Sequence, residues 1–308
     1  MPIETLRSRV KYGLEKRLDK AAQSYLGDPV LAKVDFAEPF GEPALTDPNS
    51  ISWRIFKNPV SLFIGGVTAV ILEFAEPRVR TGVWDNTSFR TDPVRRLKRT
   101  GLAAMVTVYG AQSVSARMIE MVNRMHGNIA GVTPDGSPYA ASDPELLRWV
   151  HVTAAFGFLE AYSAYVSPLT DEDRDRYYYE GRKTAALYGA KDAPQSLMAQ
   201  QTLFREMLPK LEASDIIFEF LTIMKRANAF PPPAQIAQHS LVRAAIDIVP
   251  TEIRAVLGLD KRYGLRPFEG RMVRRMARRA DRLKLRSGPP IQACRRMGLP
   301  EDYLYPRK

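Results

Sequence analysis

Apolar residues recur every three or four positions through most of this chain, and the breaks between those runs carry helix-capping chemistry. Ile3, Leu6, Val10, Leu14 and Leu18 share a helical period, which predicts an opening amphipathic helix. Asp28-Pro29, Pro39, Gly41, Pro43 and Asp47-Pro48 then interrupt regular structure as far as Trp53. Asn58-Pro59 predicts a helix start with proline in the first turn. The run from Val60 to Phe74 is apolar over 15 residues, short of the roughly 20 needed to span a bilayer. A buried core helix is therefore expected ahead of a membrane-embedded hairpin or interfacial segment. Gly65-Gly66 within it leaves room for a flat ligand or the close approach of another helix, and simple packing is the plainer of these readings.

Glu76-Pro77 ends that run, because proline disfavours the helical conformation of the residue before it. Asp92-Pro93 predicts a capped helix through Arg96 and Thr100 towards Tyr109. A further helix carries Val114, Met118, Met121, Val122, Met125 and His126. Thr133-Pro134-Asp135-Gly136-Ser137-Pro138 has turn chemistry, and Ser142-Asp143-Pro144-Glu145 restarts a helix through His151 to about Tyr165. Pro168 to Asp173 caps another helix, and Pro209, Pro231-Pro232-Pro233 and Pro250 punctuate the rest. Neither an alternating strand pattern nor an internal repeat is evident. The expected fold is all-α, a single large helical domain, with residues 1–50 as N-terminal helix and proline-containing loop, 51–260 as helical core, and 261–308 as a basic C-terminal helical segment.

Composition changes this picture in two ways. The net charge of +11 lies wholly after Asp260, where 15 Lys or Arg face four acids, while the preceding residues balance at 30 against 30. Arg271, Arg274, Arg275, Arg278, Arg279 and Arg282 fall on a helical pattern with Met272, Val273, Met276 and Leu283 on an apolar side. A solvated helix packed on the domain, a contact with an anionic membrane surface, and nucleic-acid binding compete for it. The last is disfavoured, since no aromatic residues interleave the arginines. The single cysteine, Cys294, excludes an intramolecular disulfide, covalent haem attachment and cysteine-built metal sites. The first residues lack the apolar core of a secretory signal, so a cytoplasmic protein is expected, with peripheral membrane contact through the basic segment as an option.

Candidate chemistry gathers on two helices. Arg96 and Thr100, four apart, share a face with Arg99 beside them. Guanidinium groups there can hold a carboxylate, and the hydroxyl can bond to a bound oxygen species; surface ion pairing to acids such as Asp92 or Glu120 is the bland alternative. His126 ends a methionine-rich face, where an imidazole is either a satisfied core group or an axial ligand to haem iron. His151 sits on the next long helix, and His239 lies in a polar stretch with little to recommend it.

These segments together resemble a known family, the bacterial MpaB-type oxygenases related to latex clearing protein (rubber oxygenase) and to the mycophenolic-acid pathway oxygenase. The resemblance rests on Trp53-Arg54-Ile55-Phe56-Lys57-Asn58-Pro59, Gly82-Val83-Trp84-Asp85, Phe89-Arg90-Thr91-Asp92-Pro93, Arg96-Leu97-Lys98-Arg99-Thr100, Met125-His126, Thr133-Pro134-Asp135-Gly136, Ser142-Asp143-Pro144-Glu145-Leu146-Leu147 and Trp149-Val150-His151. It covers roughly residues 50–230. It implies an all-helical fold holding haem b, with His126 as the proximal iron ligand and Arg96, Arg99 and Thr100 on the distal side. Arg99 stands where latex clearing proteins carry lysine, and a guanidinium is a poor iron ligand, so lysine-type closure of the distal site is in doubt. His151 has no histidine counterpart in those proteins; a second axial ligand, a distal acid/base and a packing residue are its three readings.

The resemblance implies a haem b-dependent oxygenase acting with dioxygen on an apolar, unsaturated small molecule, with Phe156 and Phe158 lining its channel. The alternative is a non-catalytic haem-binding or membrane-associated helical protein. A non-haem iron site built from His126, His151, Glu120 and Glu145 is disfavoured, because Asn123 and Arg148 stand where a Glu-x-x-His pair needs carboxylates.

Overall fold

Local capping chemistry sets most of the element boundaries in the computed structural model, which describes residues 34–305 apart from 228 and 231–233. In chain order the elements are α1 (Ile51–Phe56), α2 (Pro59–Ala75), α3 (Pro77–Asn86), α4 (Pro93–Tyr109), α5 (Gln112–Gly127), β1 (Ala130–Val132), β2 (Pro138–Ala140), α6 (Pro144–Tyr165), α7 (Asp171–Leu187), α8 (Leu197–Met207), α9 (Asp215–Arg226), α10 (Gln238–Ile248), α11 (Thr251–Val256), α12 (Glu269–Ala280) and α13 (Pro289–Arg296). The all-α class holds. The amphipathic helix expected over residues 3–18 lies outside the described residues.

Asn58 Oδ1 accepts from the Val60 and Ser61 amides at 3.1 Å each, with Pro59 in the first turn of α2. Glu76 closes α2 in extended backbone, and its carboxylate caps α3 by accepting from Val79 N at 2.8 Å. Asp92 caps α4 and Asp143 caps α6 in the same way. Each cap satisfies one or two of the amides that a helix start leaves without a carbonyl partner.

Between α5 and α6 the structure departs from the purely helical expectation. β1 and β2 pair antiparallel, Ala130 opposite Ala140 and Gly131 opposite Tyr139, around the Thr133 to Pro138 turn, where Gly136 takes a φ of +90°. Three-residue strands are too short to print an alternating pattern.

α2 is the axis of the fold. α6 runs along it, and α10, α12, α9, α3 and α1 pack around it. Its polar groups are satisfied within the core: Trp149 Nε1 donates to Leu72 O at 3.2 Å, and Thr68 Oγ1 donates to Ile64 O and Ala245 O, each at 3.0 Å. Tyr109 OH donates to Trp53 O at 2.8 Å. Among the described residues no single helix is long and apolar enough to cross a membrane; α2 and α3 pass that test only as a pair bent by 112°. Val273, Ala277, Ala293 and Cys294 join the same apolar core as Trp53 and Phe74, so the basic C-terminal segment is built into the domain. The buried Arg296 ties it to the start of the described chain, donating to Phe36 O at 2.7 Å and Glu42 O at 2.8 Å.

The two adjacent glycines of α2 do different things. A Cβ on Gly65 would lie 2.7 Å from Gly157 O and 2.8 Å from Phe158 Cα, whereas one on Gly66 would meet only the Phe158 ring at 3.9 Å. Gly65 and Gly157 are thus the contact at which the backbones of α2 and α6 meet. Gly65→Ala is expected to destabilise by about 1–3 kcal/mol through overpacking. Gly66→Ala is expected to be neutral or to gain up to roughly 1 kcal/mol from helix propensity. Thermal unfolding of the pair checks this, and equal shifts would refute a tight contact confined to Gly65.

Candidate functional site

The first turn of α4, fixed by Asp92 accepting from Arg95 N at 3.1 Å, sets the direction of Arg96. Its guanidinium donates through Nη1 to Thr100 Oγ1, and the Thr100 hydroxyl donates to Arg96 O at 3.0 Å. The expected shared face of Arg96 and Thr100 is present. Arg96 turns inward and is half-buried, while Arg99 and Thr100 are exposed. Arg96 Nε is buried without a hydrogen-bond partner. Burial lowers the Arg96 pKa, the charge of Glu73 works against that, and Arg99 adds to it.

Glu73, near the end of α2, is the residue that sequence reasoning missed. It sits in a run of apolar side chains, and burial raises its pKa from 4.5 to about 7 against the opposing pull of Arg96. It keeps part of its surface, and no described residue ion-pairs with its carboxylate.

His126 faces the same region from the last turn of α5. Burial first, and then the positive charge of Arg96, lower its pKa, so the imidazole is neutral at neutral pH. Its Nδ1 is buried with no partner. His151 on α6 is driven by burial alone from 6.5 down to about 4, and it too retains partial surface. It is likewise a neutral imidazole.

Partial exposure runs in stripes along three of these helices. On α2 it falls at Leu62, Gly66, Val70 and Glu73, and on α5 at Val114, Met118, Val122 and His126; on α6, where half-buried positions are more widely spread, Leu147, His151, Ala154 and Phe158 fall on one face. Steps of three and four keep each set on one helix face. The α2 and α6 stripes adjoin where Gly66 meets the Phe158 ring, and Arg96 links α2 to α5 through its charge on Glu73 and His126. α5 is held mainly by α4 and by Asn123 Nδ2 donating to Leu187 O at 2.8 Å. These half-buried faces, with the Glu73 carboxyl, the Arg96 guanidinium and the His126 and His151 imidazoles on them, are taken as the candidate cleft.

The remaining candidates lie elsewhere. Phe158 packs on Phe56 with ring centroids 4.8 Å apart, but Phe156 packs on Phe204 at 5.1 Å and borders a separate groove of about 650 Å³ between α6, α8 and α11. The two phenylalanines do not line one channel. Glu120 is exposed and paired with Arg124 at 3.5 Å. Glu145 accepts from Arg78 at 2.8 Å and from Lys210. Both carboxylates are thus engaged away from the histidines, and among the described residues no three His, Cys, Asp or Glu converge as metal ligands. His239 is exposed.

What the cleft offers a prosthetic group can be read from its unsatisfied atoms. A neutral imidazole with an unpartnered ring nitrogen is suited to axial ligation of haem iron, and a buried guanidinium N–H without an acceptor is suited to an anionic or oxygen ligand. The half-buried stripes are apolar, as the surroundings of a porphyrin must be. These residues fit a haem.

Residues 53–282 match the model of the ER-bound oxygenase mpaB/B′ and rubber oxygenase catalytic domain, and the chain belongs to that family. It is also similar to two mycobacterial proteins, uncharacterized protein Mb2261 of Mycobacterium bovis and uncharacterized protein Rv2237 of Mycobacterium tuberculosis. Each is 24% identical over 198 residues, covering 62% of this chain and 78% of the relative. No solved structure gives a significant match.

Proposed function

We propose that the protein is a haem b-dependent oxygenase acting on an apolar, unsaturated small molecule, with His126 as the proximal ligand. The observation that carries this reading is the unpartnered, neutral His126 imidazole beside Arg96 in an apolar cleft. Bound haem would supply the capture and reductive activation of dioxygen, which side chains alone cannot perform.

The chain's own residues then have separable tasks. His126 is kept neutral by burial and by Arg96, so its lone pair is free to ligate at neutral pH. Arg96 presents N–H donors into the cleft, and its bond to Thr100 fixes their direction. Arg99, outside the cleft, acts on Arg96 through charge alone. Glu73, with a pKa near 7, can hold or release a proton at its carboxyl close to neutral pH. His151, neutral across the same range, can accept a proton or a hydrogen bond on the α6 side. The apolar faces of α2, α5 and α6 exclude water and admit a hydrocarbon-like substrate.

The purified protein, incubated with haemin and desalted, is expected to show a Soret band that shifts on reduction with dithionite and again under carbon monoxide. A colourless protein after that treatment would overturn the reading.

A further inference from the structure

α12 turns one face inward and one outward, and its charges sort accordingly. Val273, Ala277 and Ala280 are buried against the core. Both acids of the segment also turn inward: Glu269 accepts from Arg243 Nε at 2.8 Å and from Ser240 at 2.9 Å, and Asp281 accepts from Lys57 at 3.0 Å. Arg243 holds the Glu269 carboxyl down at about 2, so this acid is a fixed partner of the core. Arg271, Arg274, Arg275, Arg278, Arg279 and Arg282 are left outside, all exposed, lining a shallow cavity of about 320 Å³. Among the described residues no carboxylate pairs with any of the six. Nearby cations do find acids, Arg295 with Glu301 at 2.7 Å and Lys284 with Asp302 at 3.7 Å. The unmatched positive charge is concentrated on one surface.

Apolar groups frame that surface. Phe268, at the start of α12, adopts a left-handed φ of 71° and leaves its ring 74% exposed, with the Arg271 guanidinium 4.8 Å from the ring centroid. Met272 is 43% exposed one turn on. Arginine forks match phosphate oxygens, and a large apolar side chain beside such a cluster suits the boundary between headgroups and acyl chains. Phe268 and Met272 thus add exposed apolar surface directly beside the arginine cluster. Arg278 Nε donates to Val166 O at 3.2 Å, just past the end of α6. That point lies 15 residues beyond His151, or about 22 Å along a helix.

We propose that the six arginines, with Phe268 and Met272, form a docking surface for an anionic phospholipid bilayer, the guanidiniums gripping headgroup phosphates and the Phe268 ring entering the interface. This proposal does not rest on the haem reading, and its test reads no enzyme activity.

The full-length protein is expected to sediment with vesicles of phosphatidylcholine and phosphatidylglycerol but not with phosphatidylcholine alone, and to be released as salt screens the charges. Arg275→Gln, Arg279→Gln and Arg282→Gln combined should lower the partition by about two orders of magnitude, near fivefold for each arginine. Phe268→Asn, a residue that tolerates the left-handed conformation, should weaken it severalfold while keeping the salt dependence. All four substituted side chains are exposed, so an unchanged melting temperature confirms that the fold is intact. Wild-type partition in the triple variant, or equal binding to neutral vesicles, would overturn the proposal. Preferential binding of a short DNA duplex through the same three arginines would overturn it in favour of a nucleic-acid surface.

Discussion

Replacing His126 with alanine is expected to abolish haem retention while leaving the helical circular dichroism intact. The side chain sits at the last turn of α5, half-buried and without a hydrogen bond from Nδ1, so its removal breaks no bond the fold depends on. Its loss would remove the one neutral imidazole adjacent to Arg96. A desalted His126→Ala protein should therefore show less than a tenth of the wild-type Soret absorbance, about the loss that 1.8 kcal/mol or more of binding energy would give at half-saturating haem. His126→Gly in the presence of free imidazole should regain the band, because the exogenous ring can occupy the vacated position. A full Soret band in His126→Ala, lost instead in His151→Ala, would move the ligand to α6.

How much of the site is legible in the sequence follows from how local each contact is. Helix starts are local: Asn58-Pro59, Asp92-Pro93 and Asp143-Pro144 each place an acceptor within three residues of the amides it caps, so the starts of α2, α4 and α6 were legible. The Arg96–Thr100 pair was legible for the same reason, being an i,i+4 contact. Glu73 carried a signal that went unread. It is the only charged residue between Lys57 and Glu76, and it follows Leu62, Gly66 and Val70 by a step of three, which keeps it on the same helix face. An acid that keeps to the register of an apolar stripe faces the interior and needs a reason to be there. Phe156 and Phe158 illustrate the converse. Residues two apart on a helix do not share a face, so their separation into different surroundings follows from the period itself. The capture of Glu145 by Arg78 and Lys210 joins residues 67 and 65 positions apart, and no local pattern encodes it. The same holds for the inward pairing of Glu269 and Asp281, which turns an evenly basic sequence segment into an outward arginine face.

Glu73 also gives the stability of the protein a pH dependence of definite sign. A carboxyl whose pKa rises from 4.5 to about 7 on folding binds its proton more tightly in the native state than in the unfolded chain. Between those two values the folded protein holds the extra proton, so stability falls as pH rises: no cost exists below about 4.5, and the whole cost is present above about 7. A shift of that size corresponds to roughly 3 kcal/mol. His151, lowered to about 4, acts in the opposite sense, its buried neutral form favouring the folded state increasingly as pH rises from about 4 to 6.5. The two contributions oppose each other in the wild type, and Arg96 pulls the Glu73 value down while leaving His151 to burial alone. A difference between variants isolates the carboxyl. Glu73→Gln keeps the shape and removes the titration, so it is expected to match the wild type at pH 4 and to exceed its unfolding free energy by about 3 kcal/mol at pH 8, when the two are compared in the same haem-loaded or haem-free state. Denaturant unfolding at those two pH values measures it. Parallel pH profiles for the two proteins would show that the carboxyl is ionised throughout, paired with Arg96 rather than poised to hold a proton, and would remove Glu73 from proton transfer in the cleft.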